Sequence, residues 1–173
     1  MALIVHNGKI AIDSWQLRDT AETRDSATAA DLDKTAGTLV PLPLWLQRRE
    51  SLKSTRSRLG ILLQGNDDPA CIVSDLTHIE LIAVNIARFT DGRGYSVARL
   101  LRGRYGYRGE LRAVGDIVQD QLYYLMRVGF DAFALRDDQD PQAAAAALSA
   151  FSVSYQSSSD EPLPLFRRRL AFA

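Results

Sequence analysis

The chain has 173 residues, of which 46% are hydrophobic and 24% charged, and 21 Lys+Arg balance 21 Asp+Glu for a formal net charge of zero. That length fits one domain with its own core, and the composition is globular rather than fibrous or disordered. Neutrality argues against a general nucleic-acid binder, and no apolar run approaches the roughly 20 residues that span a bilayer. Cys71 is the only cysteine, which excludes an internal disulfide and an iron–sulfur cluster held by this chain's own thiolates. Met1 to Val5 is too short for a secretory signal core, so the expected location is cytoplasmic, with neither membrane nor nucleic acid as partner.

In chain order, Asn7-Gly8 between Leu3–His6 and Lys9–Ile12 predicts a tight hairpin over residues 1–18. Residues 19–37 lack a sustained apolar stripe and read as a loop. A β/α body is expected over 38–156, opening with Pro41 and Pro43, which set an extended approach to a helix running from Leu44 to about Lys53. Four β-α units follow. Leu59–Leu63 is a strand before a helix capped by Asp68 with Pro69 at its first position, and Leu81–Ile86 precedes a helix capped by Ser96 and stopped at Gly106. Leu111–Val114 precedes a helix over Val118–Val128 ended by Gly129. Ala132–Leu135 precedes an alanine-rich helix from Pro141 to about Val153, capped by Asp140. Residues 157–173 read as a polar, Pro-containing tail. The expectation is a single α/β domain over 1–173, with four consecutive β-α units in a mainly parallel sheet or partial (half) β/α barrel and a leading hairpin.

In such architectures ligands gather beyond the carboxyl ends of strands. The loops there supply Gln64 and Asn66; Arg88, Thr90, Asp91, Arg93, Tyr95 and Ser96; Asp116; and Arg136 and Asp137. Arg88 and Arg93, with Tyr95, Ser96, Arg136 and the amides around Gly92-Gly94, form a candidate anion site for sulfite, sulfate or phosphate. The competing reading is that Asp91 and Asp116 simply neutralise these arginines. Asp91 and Asp116 are also the weak candidates for acid/base catalysis, with capping the alternative for Asp116. No metal site is expected, because no third carboxylate or histidine joins them, and His6 and His78 fall outside the loop cluster.

Asp91-Gly92-Arg93-Gly94 lacks the spacing of a Rossmann fingerprint or a P-loop, and flavin, haem and cluster signatures are missing, so no cofactor is expected. Cys71 lies in a proposed first helical turn that can activate a thiol, against the commoner role of a packed one. The tryptophans, with Tyr105, Tyr107, Tyr123, Tyr124 and Phe130, read as core or interface. Phe166-Arg167-Arg168-Arg169 pairs an aromatic with a basic cluster that can meet an acidic protein surface, or else remain a solvated tail.

The run Asp91-Gly92-Arg93-Gly94-Tyr95-Ser96-Val97-Ala98-Arg99-Leu100-Leu101-Arg102, then Gly109-Glu110-Leu111-Arg112-Ala113-Val114-Gly115-Asp116, Asp120-Gln121-Leu122 and Gly129-Phe130-Asp131-Ala132-Phe133, resembles the bacterial domain-of-unknown-function 934 family. The match is close over Leu81 to Leu135. Members are commonly labelled oxidoreductases of sulfite reduction, so the resemblance implies a place in sulfur assimilation beside sirohaem sulfite reductase, and it carries no catalytic residues over. Two functions are therefore expected in competition. One is an accessory protein of sulfite reductase that binds through the arginine rim or the basic tail; a homo-oligomer is a separate open expectation. The other is a small enzyme, oxidoreductase or acid/base, acting on an oxyanion-bearing metabolite.

Overall fold

The structure, a computed structural model, describes residues 3–17, 37–55 and 57–170. Among the described residues, eight strands form one sheet: β1 (Leu3–His6), β2 (Lys9–Ile12), β3 (Trp15–Leu17), β4 (Gly37–Pro41), β5 (Leu59–Gln64), β6 (Leu81–Ile86), β7 (Glu110–Gly115) and β8 (Ala132–Phe133). Their order is β2-β1-β8-β7-β6-β5-β4-β3. The ladders from β3 through β8 are parallel, while β1 pairs antiparallel with both β2 and β8. The α-helices among the described residues are α1 (Leu42–Lys53), α2 (Arg93–Arg99), α3 (Leu122–Val128), α4 (Pro141–Ala147) and α5 (Leu165–Leu170).

The sheet is curled into a half-barrel, and the chain itself shows why. β2 and β3 are its opposite margins, yet only Asp13 and Ser14 separate them. Three Cα steps reach at most roughly 11 Å. Seven strand spacings laid flat would span roughly 33 Å. The margins therefore approach one another, although no ladder joins β2 to β3 among the described residues.

Curling gives the sheet two unlike faces. The helices cover the outer face, where Leu59, Ile61, Leu63, Ile82, Val84, Ile86, Leu111 and Ala113 meet Leu42, Trp45, Val97, Leu101, Leu122 and Leu125 in the main core. The alternate strand residues Leu39, Leu81 and Ala83 gather on the other face around Trp15. Arg58 places its guanidinium 4.8 Å from the Trp15 ring centroid. Arg112 is also buried, and is held by Asp13 at 2.7 Å and Glu110 at 2.6 Å.

The hairpin turns at Asn7 (φ 50) and Gly8 (φ 72), as the dipeptide predicts. Asp68 and Asp140 accept from Ala70 N and Gln142 N, the expected capping contacts ahead of Pro69 and Pro141. Several expectations are corrected. Of the loop expected over 19–37 only Gly37 is described, and it opens β4, which gives α1 a strand of its own before the four anticipated units. Trp15–Leu17 is a strand. The segment after β5, Pro69–His78, is 3-10 rather than α. The helix predicted from Ser96 begins at Arg93 and passes into a π-helical turn, Leu100–Arg104, because its boundary is set at Gly92 without a side-chain cap. Residues Gln119–Gln121 form a 3-10 turn before α3, β8 stops at Phe133, and α4 stops at Ala147. The polar tail contains α5.

Two buried or half-buried groups away from the strand ends complete the fold. Asp75 is fully buried and accepts from Trp45 Nε1 at 2.9 Å, with Lys53 Nζ at 2.7 Å and Arg49 Nε at 3.2 Å. Cys71 is half-buried, and its Sγ donates to the Asp68 carbonyl. Burial pushes the Cys71 thiol pKa up, and Asp68 adds to the shift, so the group is a packed thiol rather than a primed nucleophile.

Candidate functional site

The loops after β5, β6, β7 and β8 meet at one rim. Asn85 Nδ2 donates to Gln64 Oε1 at 2.8 Å, joining the ends of β5 and β6. Gly115 ends β7 at φ +101, where a Cβ would stand 2.5 Å from both Asn85 Oδ1 and the Ile86 carbonyl. Only glycine combines that backbone with that proximity. The next residue, Asp116, donates its amide to Ile86 O at 2.8 Å, so the start of the β7 loop is clamped to β6.

Asp116 does not cap a helix. One carboxylate oxygen accepts from Phe89 N at 2.8 Å and the other from Arg136 Nη1 at 2.9 Å, tying together the loops after β6, β7 and β8. Arg136 is filled by a second carboxylate, since its Nε and Nη2 donate to Asp138 at 2.6 and 2.8 Å. These two aspartates hold the Arg136 guanidinium above its usual pKa, Asp138 contributing most. Gln121 braces the same loop, donating to Phe89 O at 3.2 Å while accepting from Val118 N at 3.2 Å. Half-burial raises the Tyr95 phenol pKa, against a hydrogen bond with Gln121.

Asp91 and Arg93 form a two-pronged pair, with Nε to Oδ1 at 2.9 Å and Nη2 to Oδ2 at 2.7 Å, and the Arg93 amide adds a third bond. The guanidinium first, and then that amide, hold the Asp91 carboxyl down at about 2. Asp91 is therefore a fixed anion at neutral pH, poorly matched to proton transfer. Asp91 and Asp116 share no partner. Ser96 is exposed within α2, and Asp137 is exposed beside Arg136. Arg88 differs from the other two rim arginines: its side chain is exposed and makes no hydrogen bond or ion pair with another described residue, and Phe89 and Thr90 beside it are exposed as well. The rim thus holds two compensated guanidiniums and one open one. No group of three or more His, Cys, Asp or Glu side chains suited to a metal occurs among the described residues. His6 sits where β1 meets the start of β8, and His78 ends the 3-10 segment, both away from the rim.

The C-terminal segment builds a different surface. Arg168 turns inward, with Nη2 to Ser154 O at 2.6 Å and Nη1 3.3 Å from Glu161, so this member of the basic cluster is an anchor. Phe166, Arg167 and Arg169 remain exposed, with the Arg167 guanidinium 6.0 Å from the Phe166 ring centroid. The Tyr123 ring lies 5.7 Å from Tyr124 and 4.8 Å from Phe151, and its hydroxyl lies 2.6 Å from Ser154 Oγ. Tyr124, read as core or interface, is 67% exposed, in company with Phe151 at 64% and Tyr155 at 63%. Trp15, Trp45, Tyr107 and Phe130 are buried as their apolar settings predict.

One family model, that of a bacterial protein of unknown function (DUF934), matches residues 60–166, more than half of the chain. The chain belongs to the DUF934 family. No curated protein and no solved structure is detectably similar to it. The matched span of this DUF934 chain runs from Gly60 in β5 to Phe166 in α5, so it contains the whole rim and the exposed aromatic surface. The hairpin, β3, β4 and α1 lie outside it.

Sequence reasoning missed the arginines at the other end of the sheet. Arg99, Arg104 and Arg108 line concavities near the amino ends of β7 and β8, with Ser158 and Ser159 opposite. Their spacing looks like an ordinary solvated helix face, and only the folding back of residues 156–162 turns that face into a wall.

Proposed function

We propose that this DUF934 protein is a cytoplasmic accessory protein of assimilatory sulfite reduction. It docks on sirohaem sulfite reductase through the aromatic and basic surface of its C-terminal segment. The pathway follows from the family resemblance. The docking role is supported by the exposure of Phe151, Tyr155 and Phe166 on a segment that is held down rather than loose, with Tyr124 of α3 exposed as well. Large exposed aromatics flanked by cations are the side chains that interfaces favour, since rigid rings bury much area at small entropic cost. The second element is the rim, where Arg88 offers a guanidinium that no other described residue compensates to an oxyanion such as sulfite, sulfate or phosphate. An accessory role fits the rim better than acid/base catalysis does, because Asp91 is locked as an anion and Asp116 is occupied by two donors.

Size-exclusion co-elution with sulfite reductase from the same organism tests the docking surface. Wild-type protein is expected to share a peak with the enzyme, and Phe166→Ala with Arg167→Ala and Arg169→Ala to lose it. Wild-type protein that never co-elutes at micromolar concentrations would overturn the stable complex. Sulfite titration of wild type against Arg88→Ala tests the rim, and equal affinities would remove its anion role.

A further inference from the structure

At the end of the sheet away from the rim, two adjoining cavities of about 380 and 420 Å³ share Gly103 and Ser159 in their linings. Together they form a cleft between the π-helical turn and the folded-back segment 156–162. Among the described residues, three cations of the cleft meet no carboxylate. Arg108 is exposed and pairs with no other described residue, Arg104 rests 5.7 Å from the Tyr105 ring centroid, and Arg99 reaches only Ser158 Oγ at 3.4 Å. The carboxylates in the same walls are already committed: Asp131 to Arg102 at 2.7 Å and to the Leu111 amide at 2.9 Å, and Asp160 to Arg127 at 3.1 Å. Neither neutralises the three arginines.

The far wall is built rather than draped. Arg127 is buried and donates to the Gln156 carbonyl as well as to Asp160. Its own carbonyl accepts from Ser159 N at 3.0 Å and Ser158 Oγ at 2.7 Å. On the near side Arg102 is fixed by the carbonyls of Tyr107, Gly109 and Gly129 at 2.8–2.9 Å. Both walls therefore exist before any ligand arrives, which lowers the ordering cost of binding. Leu100, Met126 and Pro162 supply small apolar patches beside the cations.

The geometry points to a binding site for an organic phosphate of about nucleotide size, its phosphates held by Arg99, Arg104 and Arg108 and its body laid against the apolar patches. Three guanidiniums lining one cleft suit an anion with more than one charged group, whereas a lone carboxylate or sulfate would satisfy fewer of them. The volume falls within the range of about 300–1,000 Å³ usual for small-molecule sites. Gly103 sits between the two cavities, and a Cβ built there meets no atom within 4 Å. A larger side chain at that position would grow into the cleft and not into the protein. This site is separate from the Arg88 rim and from the aromatic docking surface.

The test is calorimetric titration of the full chain with ADP and with pyrophosphate at constant ionic strength, using wild type, Arg104→Ser with Arg108→Ser, Gly103→Leu, and Arg88→Ala. Wild type is expected to bind one ADP per chain, more tightly than pyrophosphate. The double arginine variant should weaken ADP by about tenfold or more, the loss expected for charge-assisted hydrogen bonds. Gly103→Leu should weaken it comparably with no loss of melting temperature, and Arg88→Ala should leave it unchanged. Absence of ADP binding in the millimolar range would overturn the site, and so would binding that survives both cleft variants. Loss on Arg88→Ala alone would move the phosphate to the rim and refute the cleft. Pyrophosphate binding as tightly as ADP would refute the organic body.

Discussion

Arg112, near the middle of the curled sheet, places its guanidinium 2.7 Å from Asp13, a residue 99 positions away in the two-residue link between the sheet margins. Glu110 holds the same guanidinium at 2.6 Å. Arg112 thereby ties the link to β7 across the inner face. Arg112→Met is expected to leave two carboxylates facing each other in a poorly hydrated space and to cost about 3 kcal/mol in urea unfolding. Arg112→Lys should recover only part of this, because an ammonium cannot serve both carboxylates with a planar fork. A cost below about 1 kcal/mol would show that the pairing is incidental.

Asp75 makes stability depend on acidity. Burial pushes its pKa up, but the hydrogen bonds from Lys53 and Trp45 and the nearby Arg49 outweigh burial, and the net shift is downward. A carboxylate lowered in the folded state contributes fully above its unfolded pKa of about 3.9 and loses that contribution as pH falls through the folded value. Asp75→Asn keeps an acceptor for Trp45 but removes the charge between Arg49 and Lys53. The variant should unfold about 2–3 kcal/mol more easily at pH 7, and the gap from wild type should close below about pH 4. A gap independent of pH would mean that packing, not charge, is what Asn disturbs.

At the rim, Asp91 is expected to be the brake on anion binding. Asp91→Asn frees Arg93 and should strengthen sulfate binding by about threefold at low salt, the scale of one exposed charge pair. Because Arg93 holds the Asp91 carboxyl down at about 2, the wild-type pair stays intact on acidification. Its contribution fades only as pH falls through that value. Acidifying from pH 7 to pH 4 should therefore not reproduce the gain seen in Asp91→Asn. A wild-type affinity that rises to the variant's level by pH 4 would contradict the pairing.

Gly115→Ala places a methyl group against Asn85 Oδ1 and the Ile86 carbonyl on a backbone at φ +101. A loss of about 1–3 kcal/mol is expected. The accompanying shift of Asp116 should also weaken any anion response that depends on Arg88, since Asp116 holds the Phe89 amide next to it. Thermal unfolding and sulfate titration of the same sample would read both effects, and unchanged values in both would remove Gly115 from the rim's architecture.

What the sequence made legible was local. Asn7-Gly8, Asp68-Pro69 and Asp140-Pro141 each carry a turn or cap in two adjacent side chains, and each forms as read. The strands read at Leu59–Leu63, Leu81–Ile86 and Leu111–Val114 form within a residue of those bounds, Leu81–Ile86 announced by the successive apolar residues of a buried parallel strand. β4 was hidden because Pro41 closes it and the preceding residues lack a pattern, while β3 has only three residues. The rim loops were placed correctly, but which carboxylate fills which arginine is a tertiary outcome. Asp91 beside Arg93 was readable at two positions' separation, whereas Asp116 with Arg136 needed the sheet register. Ser96 misled because it is a good capping residue, yet Gly92 starts the helix a turn earlier.

The pairing of Val5 with Phe133 and of His6 with Ala132 sets a timetable for folding. β1 has no partner in the sheet other than β2 until β8 has been made, so a growing chain must carry the hairpin undocked until residue 133 has emerged. Contacts between residues so far apart in sequence close late and slowly, because the entropy of the intervening loop is spent before any pairing rewards it. Until then the edge of β1 that carries Val5 and His6 is open to any neighbour, and pairing with β8, not growth of the parallel sheet, is the step that retires it.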